Sequence, residues 1–260
     1  MAPQKTLLVA LDLGTSSATA NHCMVQDRFD PSGTLIREKY DKVLVKEVMD
    51  WPGGSKSHAT GNVCVPTTLV VEKASRQLLF WGFEAQQYLD DPIPEISSDR
   101  VVVIEHIKLL LPNPDDAKTP TNATTRYKAK TEELMNELGK TPFEVFEMFM
   151  DRVVEHVVGD ANRRFSSTIH NSTFELILAF PGGWPEHVHT RVAEIGAMSM
   201  SSAIKKHRLQ GITFGTEYVY TVSETICGVR EWLGNAIAYA AIPSEGDQQG
   251  INLDELEVSC

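Results

Sequence analysis

The residues best suited to chemistry stand where the first apolar segment ends. Thr6–Leu13 is apolar except for Thr6 and Asp12, and Gly14, Thr15 and Ser16 follow it directly. Glycine admits the backbone angles of a tight turn, and backbone amides together with hydroxyl groups can bind phosphate. A carboxylate at the position of Asp12 suits a hydrated magnesium ion. The alternative is an ordinary strand end that carries a capping acid.

Two other charged residues adjoin apolar segments. Lys108 lies within Val101–Pro112, and Glu224 follows Ser223, which is a suitable N-cap for a helix. Taken alone, Lys108 fits the solvated face of a helix. Glu224 fits an acid in a first helical turn, where the macrodipole favours negative charge.

Composition and missing motifs exclude several classes of protein. The chain has 260 residues, of which 42% are hydrophobic and 23% charged, and its net charge is -11. An acidic surface repels phosphate backbones and anionic lipid, so neither nucleic acid nor a membrane is expected as a partner. The chain contains no Cys-x-x-Cys, Gly-x-x-x-x-Gly-Lys, Gly-x-Ser-x-Gly or His-Glu-x-x-His motif. Its opening residues lack a signal-peptide cleavage pattern, so we expect a cytoplasmic protein.

The first half of the chain predicts strands before helices. Thr6–Leu13, Ser17–Val25 and Leu35–Val45 predict a three-strand meander with turn residues between the last two. Val63–Val71 and Gln77–Gly82 then predict two short strands. The segments that follow are interpreted as helices, at 84–89 and 99–111.

The second half predicts alternating helices and strands. Thr141-Pro142-Phe143-Glu144 predicts a capping box, and an apolar stripe follows it. The stripe consists of Phe146, Phe149, Met150, Val153, Val154 and Val157. Strands are predicted at 174–180 and 216–222, and helices at 185–206 and from 223 to about 241. This alternation implies parallel strands joined by crossover helices.

Four segments, in order along the chain, resemble the seventy-kilodalton heat-shock chaperones, and most closely their divergent fungal-type relatives. They are Leu11–Ser17, Val101–Pro112, Leu176–Met198 and Tyr220–Val229. The resemblance implies the N-terminal lobe of an actin-type ATPase domain, with a ribonuclease H-like α/β fold. That fold is a mixed five-stranded sheet, made of the meander plus two parallel strands with crossover helices, and it carries a small inserted subdomain.

The resemblance also implies ATP and magnesium as ligands. In the family, the first phosphate loop holds the triphosphate, and an acid beside it binds magnesium through water. The corresponding phosphate-binding residues here are Asp12, Gly14, Thr15 and Ser16, with Asp12 also the magnesium residue.

The remaining site residues come from the other three segments. Lys108 corresponds to the lysine that reaches the γ-phosphate and the attacking water, and Glu224 to the carboxylate that orients that water. Pro181 corresponds to a proline that acts as an interdomain switch. The chain departs from the family at Thr225, where a proline is usual, and at His189, where an arginine is usual, so communication between lobes is in question.

The resemblance implies a truncated protein, because the second phosphate hairpin, Asp-x-Gly-Gly-Gly-Thr, is absent from the sequence. We expect one actin-like lobe at residues 1–241 and an acidic polar tail at 242–260. Within the lobe we expect a core at 1–48 and 141–241, an inserted subdomain at 49–114 and a loop at 115–140.

Three functions fit these expectations. The first is a chaperone-like ATP-binding protein whose hydrolysis is weak or lost. The second is a non-catalytic interaction module, in which the lobe face around Pro181 and the helix after Ser223 binds another protein or a co-chaperone. The third is a fragment of a carbohydrate kinase, because such kinases also open with Asp-x-Gly-Thr-Ser-Ser.

Overall fold

The computed structural model describes residues 4–29, 35–37, 44–54, 63–111, 133–181 and 183–223. The strands are β1 (Gln4–Leu13), β2 (Ser17–Phe29), β3 (Leu35–Arg37), β4 (Lys46–Glu47), β5 (Cys64–Pro66), β6 (Leu69–Glu72), β7 (Leu78–Trp81), β8 (Val101–Ile104), β9 (Thr173–Phe180) and β10 (Val219–Ser223). The helices are α1 (Gly82–Asp90), α2 (Pro142–Arg164) and α3 (Glu186–Lys206), with 3-10 turns at Ser98–Arg100, Ile107–Leu110 and Thr216–Tyr218. Residues 133–138 are also helical.

β1 is the central strand of the larger sheet. It pairs along its length with β2 in antiparallel orientation and with β9 in parallel orientation. Leu7, Leu8 and Val9 are completely buried, with Leu7 and Val9 in the main core and Leu8 in a second apolar cluster on the opposite face of the strand. A strand buried on both faces has an almost continuous apolar sequence, as Thr6–Leu13 does.

The order of the larger sheet is β10-β9-β1-β2-β3, with β4 and β5 also pairing with β2. β1, β2 and β3 form an antiparallel meander, and β9 and β10 run parallel to β1. α3 forms the crossover from β9 to β10, and α2 precedes β9. The predicted fold class, a ribonuclease H-like actin-type lobe with a mixed sheet, is confirmed by this arrangement.

α2 begins as the capping sequence predicts. The Glu144 backbone N–H donates to Thr141 Oγ1 at 3.3 Å, and the Thr141 N–H donates to Glu144 Oε2 at 2.7 Å. All six residues of the predicted apolar stripe are buried in the main core. α3 packs closely on β9 at Gly196, where an added Cβ would lie 2.8 Å from Leu178 Cδ1. A glycine there lets the helix approach the sheet.

A second, smaller sheet has the order β7-β6-β8, with both pairs antiparallel. The helix predicted at 99–111 is wrong, because Val101–Ile104 is β8 and pairs with β6. Three consecutive valines lose side-chain freedom in a helix and fit a pleated strand, so they favour a strand here, and pairing with β6 determines it. Only a 3-10 turn, Ile107–Leu110, follows.

The predicted division into a core and an inserted subdomain does not match the sheet to which every strand belongs. β5 lies within the inserted range 49–114, yet it pairs with β2 of the larger sheet. All residues after Ser223, including nearly all of the predicted helix and the whole tail, lie outside the described residues, as does most of the loop at 115–140. No helix in the described part of the chain is long and apolar enough to span a membrane.

A buried polar network joins the larger sheet to α2. His22 of β2 is completely buried, and its Nε2 lies 2.7 Å from Asp160 Oδ2. Because a carboxylate only accepts, the imidazole Nε2–H is the donor. Arg163 and Arg164 also donate to Asp160, at 2.9 and 2.6 Å, and Phe165 meets the imidazole edge-on. Burial raises the pKa of Asp160, but the hydrogen bonds from His22 and Arg164 outweigh it and lower that pKa from 3.8 to about 2.

We expect Asp160→Asn to lower the free energy of unfolding at pH 6 by about 1–3 kcal/mol, because hydrogen bonds to a charged group are lost. The depressed pKa stabilises the fold above pH 4, and this contribution is lost as the pH falls from about 4 towards 2. The difference between wild type and Asp160→Asn should therefore shrink over that range. Urea unfolding followed by tryptophan fluorescence at pH 6, 4 and 3 measures it.

Glu217→Gln, at an exposed acid on the far side of the larger sheet from β2, is the control and should leave the pH profile unchanged. If the free energies of unfolding of wild type and Asp160→Asn differ by the same amount at all three pH values, the role assigned to the network is wrong.

Candidate functional site

The hairpin between β1 and β2 carries the predicted phosphate loop. Asp12 lies at the C-terminal end of β1 and is half-buried, and the exposed residues Thr15 and Ser16 form the tip of the turn. Gly14 is required by the close turn, because an added Cβ would lie 2.5 Å from the Ser17 carbonyl oxygen. The structure therefore brings together the four residues predicted to bind phosphate.

Thr67, in the short link between β5 and β6, holds this loop. Its backbone N–H donates to the Ser16 carbonyl at 3.0 Å, and its hydroxyl donates to the Thr15 carbonyl at 2.7 Å. Across a trans peptide bond the N–H points opposite to the C=O. The amides of Ser16 and Ser17 therefore point away from Thr67, and they are held in that orientation by a residue that is itself buried.

Lys108 is the cation that acts on Asp12. Burial raises the pKa of the Asp12 carboxyl, and the positive charge of Lys108 opposes that rise. Lys108 is buried in the 3-10 turn Ile107–Leu110, which follows β8. His106, the residue before this turn, has a left-handed backbone conformation with a φ of 52°. Asp12, in β1 of the larger sheet, and Lys108, in the turn that follows β8 of the smaller sheet, therefore interact electrostatically.

Asp12 projects from the face of β1 opposite α2 and α3. Side chains alternate along a strand, and Leu11 and Leu13 belong to the core cluster that contains both helices. Leu8 and Ala10 belong to a different cluster. Asp12 shares their face, so its carboxylate lies away from the helical layer.

The C-terminal ends of the three parallel strands define one edge of the sheet. Asp12 pairs with Ala179 of β9, and Ala179 pairs with Val222 of β10, so these residues form a row across the sheet. Pro181 directly follows β9 and is half-buried. Ligands of open α/β sheets bind outside the carboxyl ends of such strands. Glu224, the predicted catalytic carboxylate, follows the end of β10 in the sequence but lies outside the described residues.

His189, which stands where the resemblance implies an arginine, belongs to an aromatic cluster. Its ring meets Phe180 edge-on at 5.8 Å and Trp184 at 6.3 Å, and Phe180 and Trp184 stack at 5.2 Å. The backbone N–H of Trp184 donates to the Pro181 carbonyl at 3.2 Å. Trp184 and His189 are thus held against the end of β9 by ring packing.

Thr67 is the site residue that sequence reasoning missed. It falls within a segment, Val63–Val71, interpreted as one continuous strand. In the structure this segment contains two strands that belong to different sheets, with Thr67 and Thr68 between them. The sequence shows only that two threonines follow Pro66, which reveals neither their burial nor the groups that their hydroxyls bind.

The donor set at the hairpin suits a magnesium-bound phosphate. Magnesium retains several waters and is usually held by one or two carboxylates together with phosphate oxygens. Asp12 would supply the carboxylate, Thr15 and Ser16 the hydroxyls, and Lys108 a positive charge. No group of three or more His, Cys, Asp or Glu side chains capable of holding a metal occurs among the described residues.

Comparisons with known proteins concern the fold alone. No protein-family profile and no curated protein matches the chain. Solved structures similar to it include MreB5 of Spiroplasma citri bound to ADP (11% identity, 84% of this chain, 38% of that one, TM-score 0.36) and bound to AMPPNP (11%, 84%, 39%, TM-score 0.32). A third is a nucleoside triphosphate hydrolase from Neospora caninum (11%, 85%, 29%, TM-score 0.32). The chain thus spans between 29% and 39% of the length of these proteins.

At such TM-scores the likeness carries no argument about function. The class of the molecule rests on its own strand order, which is that of an α/β lobe of the ribonuclease H-like, actin-type fold.

We expect Lys108→Met to raise the pKa of Asp12 further, because methionine keeps the buried volume but removes the positive charge. Titration of the Asp12 carboxyl carbon by NMR measures this. Lys205→Met, which removes an exposed charge from the last turn of α3, should leave the Asp12 pKa unchanged. If the pKa of Asp12 is unchanged in both variants, the charge of Lys108 does not act on Asp12.

Proposed function

We propose that this chain binds the phosphate groups of a magnesium nucleotide, ATP in particular, at the hairpin that joins β1 and β2. Asp12 binds magnesium through water, the loop of Gly14, Thr15 and Ser16 binds phosphate oxygens, and Lys108 offsets their charge. The bound magnesium ion neutralises negative charge on the phosphate oxygens.

The single observation that carries the proposal is the electrostatic interaction between Asp12 and Lys108 beside a loop that is held in place from behind. Lys108 is buried, and burying an ammonium group without a compensating anion is costly. A carboxylate that its burial makes harder to ionise is likewise costly. Maintaining both charges next to exposed hydroxyls, and to amides that point away from Thr67, suits an anionic ligand that carries a cation.

In its finer form, we propose a chaperone-like relative of the seventy-kilodalton heat-shock family with weak or lost hydrolysis. Support comes from the four sequence segments and from their positions, since three of them contribute to one sheet edge. The proposed roles of Glu224 as the water-orienting carboxylate and of Pro181 as a switch residue belong to this finer form.

We expect Mg-ATP to bind with a dissociation constant of about 1 mM. One loop and one lysine provide few charge-assisted contacts, each of which contributes about 1.5–3 kcal/mol. Magnesium tripolyphosphate should bind with similar affinity, and adenosine should not bind, because the contacts are to phosphate. Saturation-transfer NMR suits such weak binding.

Lys108→Met should weaken the binding of Mg-ATP about tenfold, which corresponds to one charge-assisted contact. Lys205→Met is the matched control and should bind as the wild type does. Equal affinities for ATP and adenosine, or unchanged binding by Lys108→Met, would refute a phosphate site at this hairpin.

Thr67→Val tests the positioning of the loop separately from its charge. Valine keeps the shape of threonine but removes the hydroxyl that binds the Thr15 carbonyl, at a cost of about 1 kcal/mol in unfolding free energy. We expect faster amide hydrogen exchange at Ser16 and Ser17 and weaker binding of magnesium tripolyphosphate, without a change in the pKa of Asp12. Thr67→Ser retains the hydroxyl and should restore both properties. If Thr67→Val leaves exchange and binding as they are in the wild type, Thr67 is not a positioning residue.

A further inference from the structure

The smaller sheet and α1 form a cavity of about 540 Å3 away from the phosphate loop. Its lining includes the aromatic rings of Phe80 and Tyr88, which stack at 5.6 Å with an angle of 24° between their planes. The Tyr88 hydroxyl donates to the Ile96 carbonyl at 3.1 Å, which fixes the orientation of that ring. The cavity therefore has an ordered aromatic lining.

The rim of this cavity is acidic. Residues 77–99, with Asp99 included, contain five carboxylates and no lysine, arginine or histidine. Asp90 and Asp91 line the cavity, and Glu95 is exposed nearby along the chain. The basic residues that flank this stretch interact with other groups: Lys73 pairs with Glu137, and Arg100 pairs with Glu72. The guanidinium of Arg76 lies beside Gly139, and its charge acts on Glu144. The negative charge at the rim is thus directed towards solvent.

Exposed apolar side chains accompany these acids. Leu89 is 42% exposed and Ile93 is 39% exposed, and Ile93 also lines the cavity. They are two of only five large hydrophobic residues that are this exposed in the described part of the chain. Aromatic lining, acidic rim and exposed aliphatic groups occur together within one short segment.

We propose that this cavity docks a basic segment of a partner protein. A lysine or arginine of the partner would place its aliphatic stem against Ile93 and its charge between the rings and the carboxylates of Asp90 and Asp91. Charge complementarity selects this occupant, because the same carboxylates repel nucleic acid and anionic lipid. The site is independent of the proposed nucleotide function.

A short fluorescein-labelled peptide of alternating lysine and leucine is a suitable probe, with binding measured by fluorescence anisotropy on the full chain. Replacing both aspartates, Asp90→Asn and Asp91→Asn, should weaken binding about tenfold, because two charges at the rim are lost. The matched control, Glu133→Gln with Glu217→Gln, removes the same charge from exposed positions elsewhere and should change affinity less than about twofold. All four positions are exposed, so the fold should persist, and circular dichroism checks this.

Two further measurements separate the proposal from non-specific attraction. Phe80→Leu, which removes one ring of the stack but stays apolar, should weaken peptide binding while net charge is unchanged. If the control pair weakens binding as much as the aspartate pair does, attraction to the net charge of -11 accounts for it and the proposal fails. It fails also if spermidine displaces the peptide at the peptide's own concentration, because the occupant is then a small polycation.

Discussion

The pairing of β1 along both of its edges is the constraint on which the rest of this lobe depends. β2 occupies one edge in antiparallel orientation and β9 occupies the other in parallel orientation, while apolar side chains cover both faces. A strand held on four sides has almost no freedom to shift its register. Asp12 therefore has a fixed place at the end of the strand, and the turn after it must be tight enough to return the chain directly into β2.

The parts of the fold that were predictable from the sequence are those in which local and long-range preferences agree. The stripe from Phe146 to Val157 has the period of a helix, and a capping box begins it, so the position and the buried face of α2 were both available in advance. β9 was predictable for the same reason, because a run that is apolar except for Glu175 and is followed by Pro181 fits a buried parallel strand. In each case the local conformation that the residues prefer also buries their apolar side chains in the core.

The parts that were not predictable involve pairing between distant residues. Val101–Ile104 has the length and apolar character of either a strand or one side of a helix, and only its partner β6 decides between them. The loop residues of the candidate site could be recognised from their types, whereas Thr67 could not, because its role arises from two hydrogen bonds to a hairpin about fifty residues earlier in the chain. The proximity of Lys108 to Asp12 followed from a family resemblance and not from spacing. Because Asp12 is half-buried, its pKa is raised, and the charge of Lys108 opposes that rise.

The link between β5 and β6 has a mechanical consequence. Pro66 belongs to the larger sheet and Leu69 to the smaller one, so Thr67 and Thr68 are the whole of the connection at that point. Lys108 follows β8, which is also part of the smaller sheet. A rotation of the smaller sheet relative to the larger one would move Thr67 away from the loop carbonyls. The same rotation would move Lys108 away from Asp12. The geometry of the hairpin therefore depends on how the two sheets are oriented relative to each other.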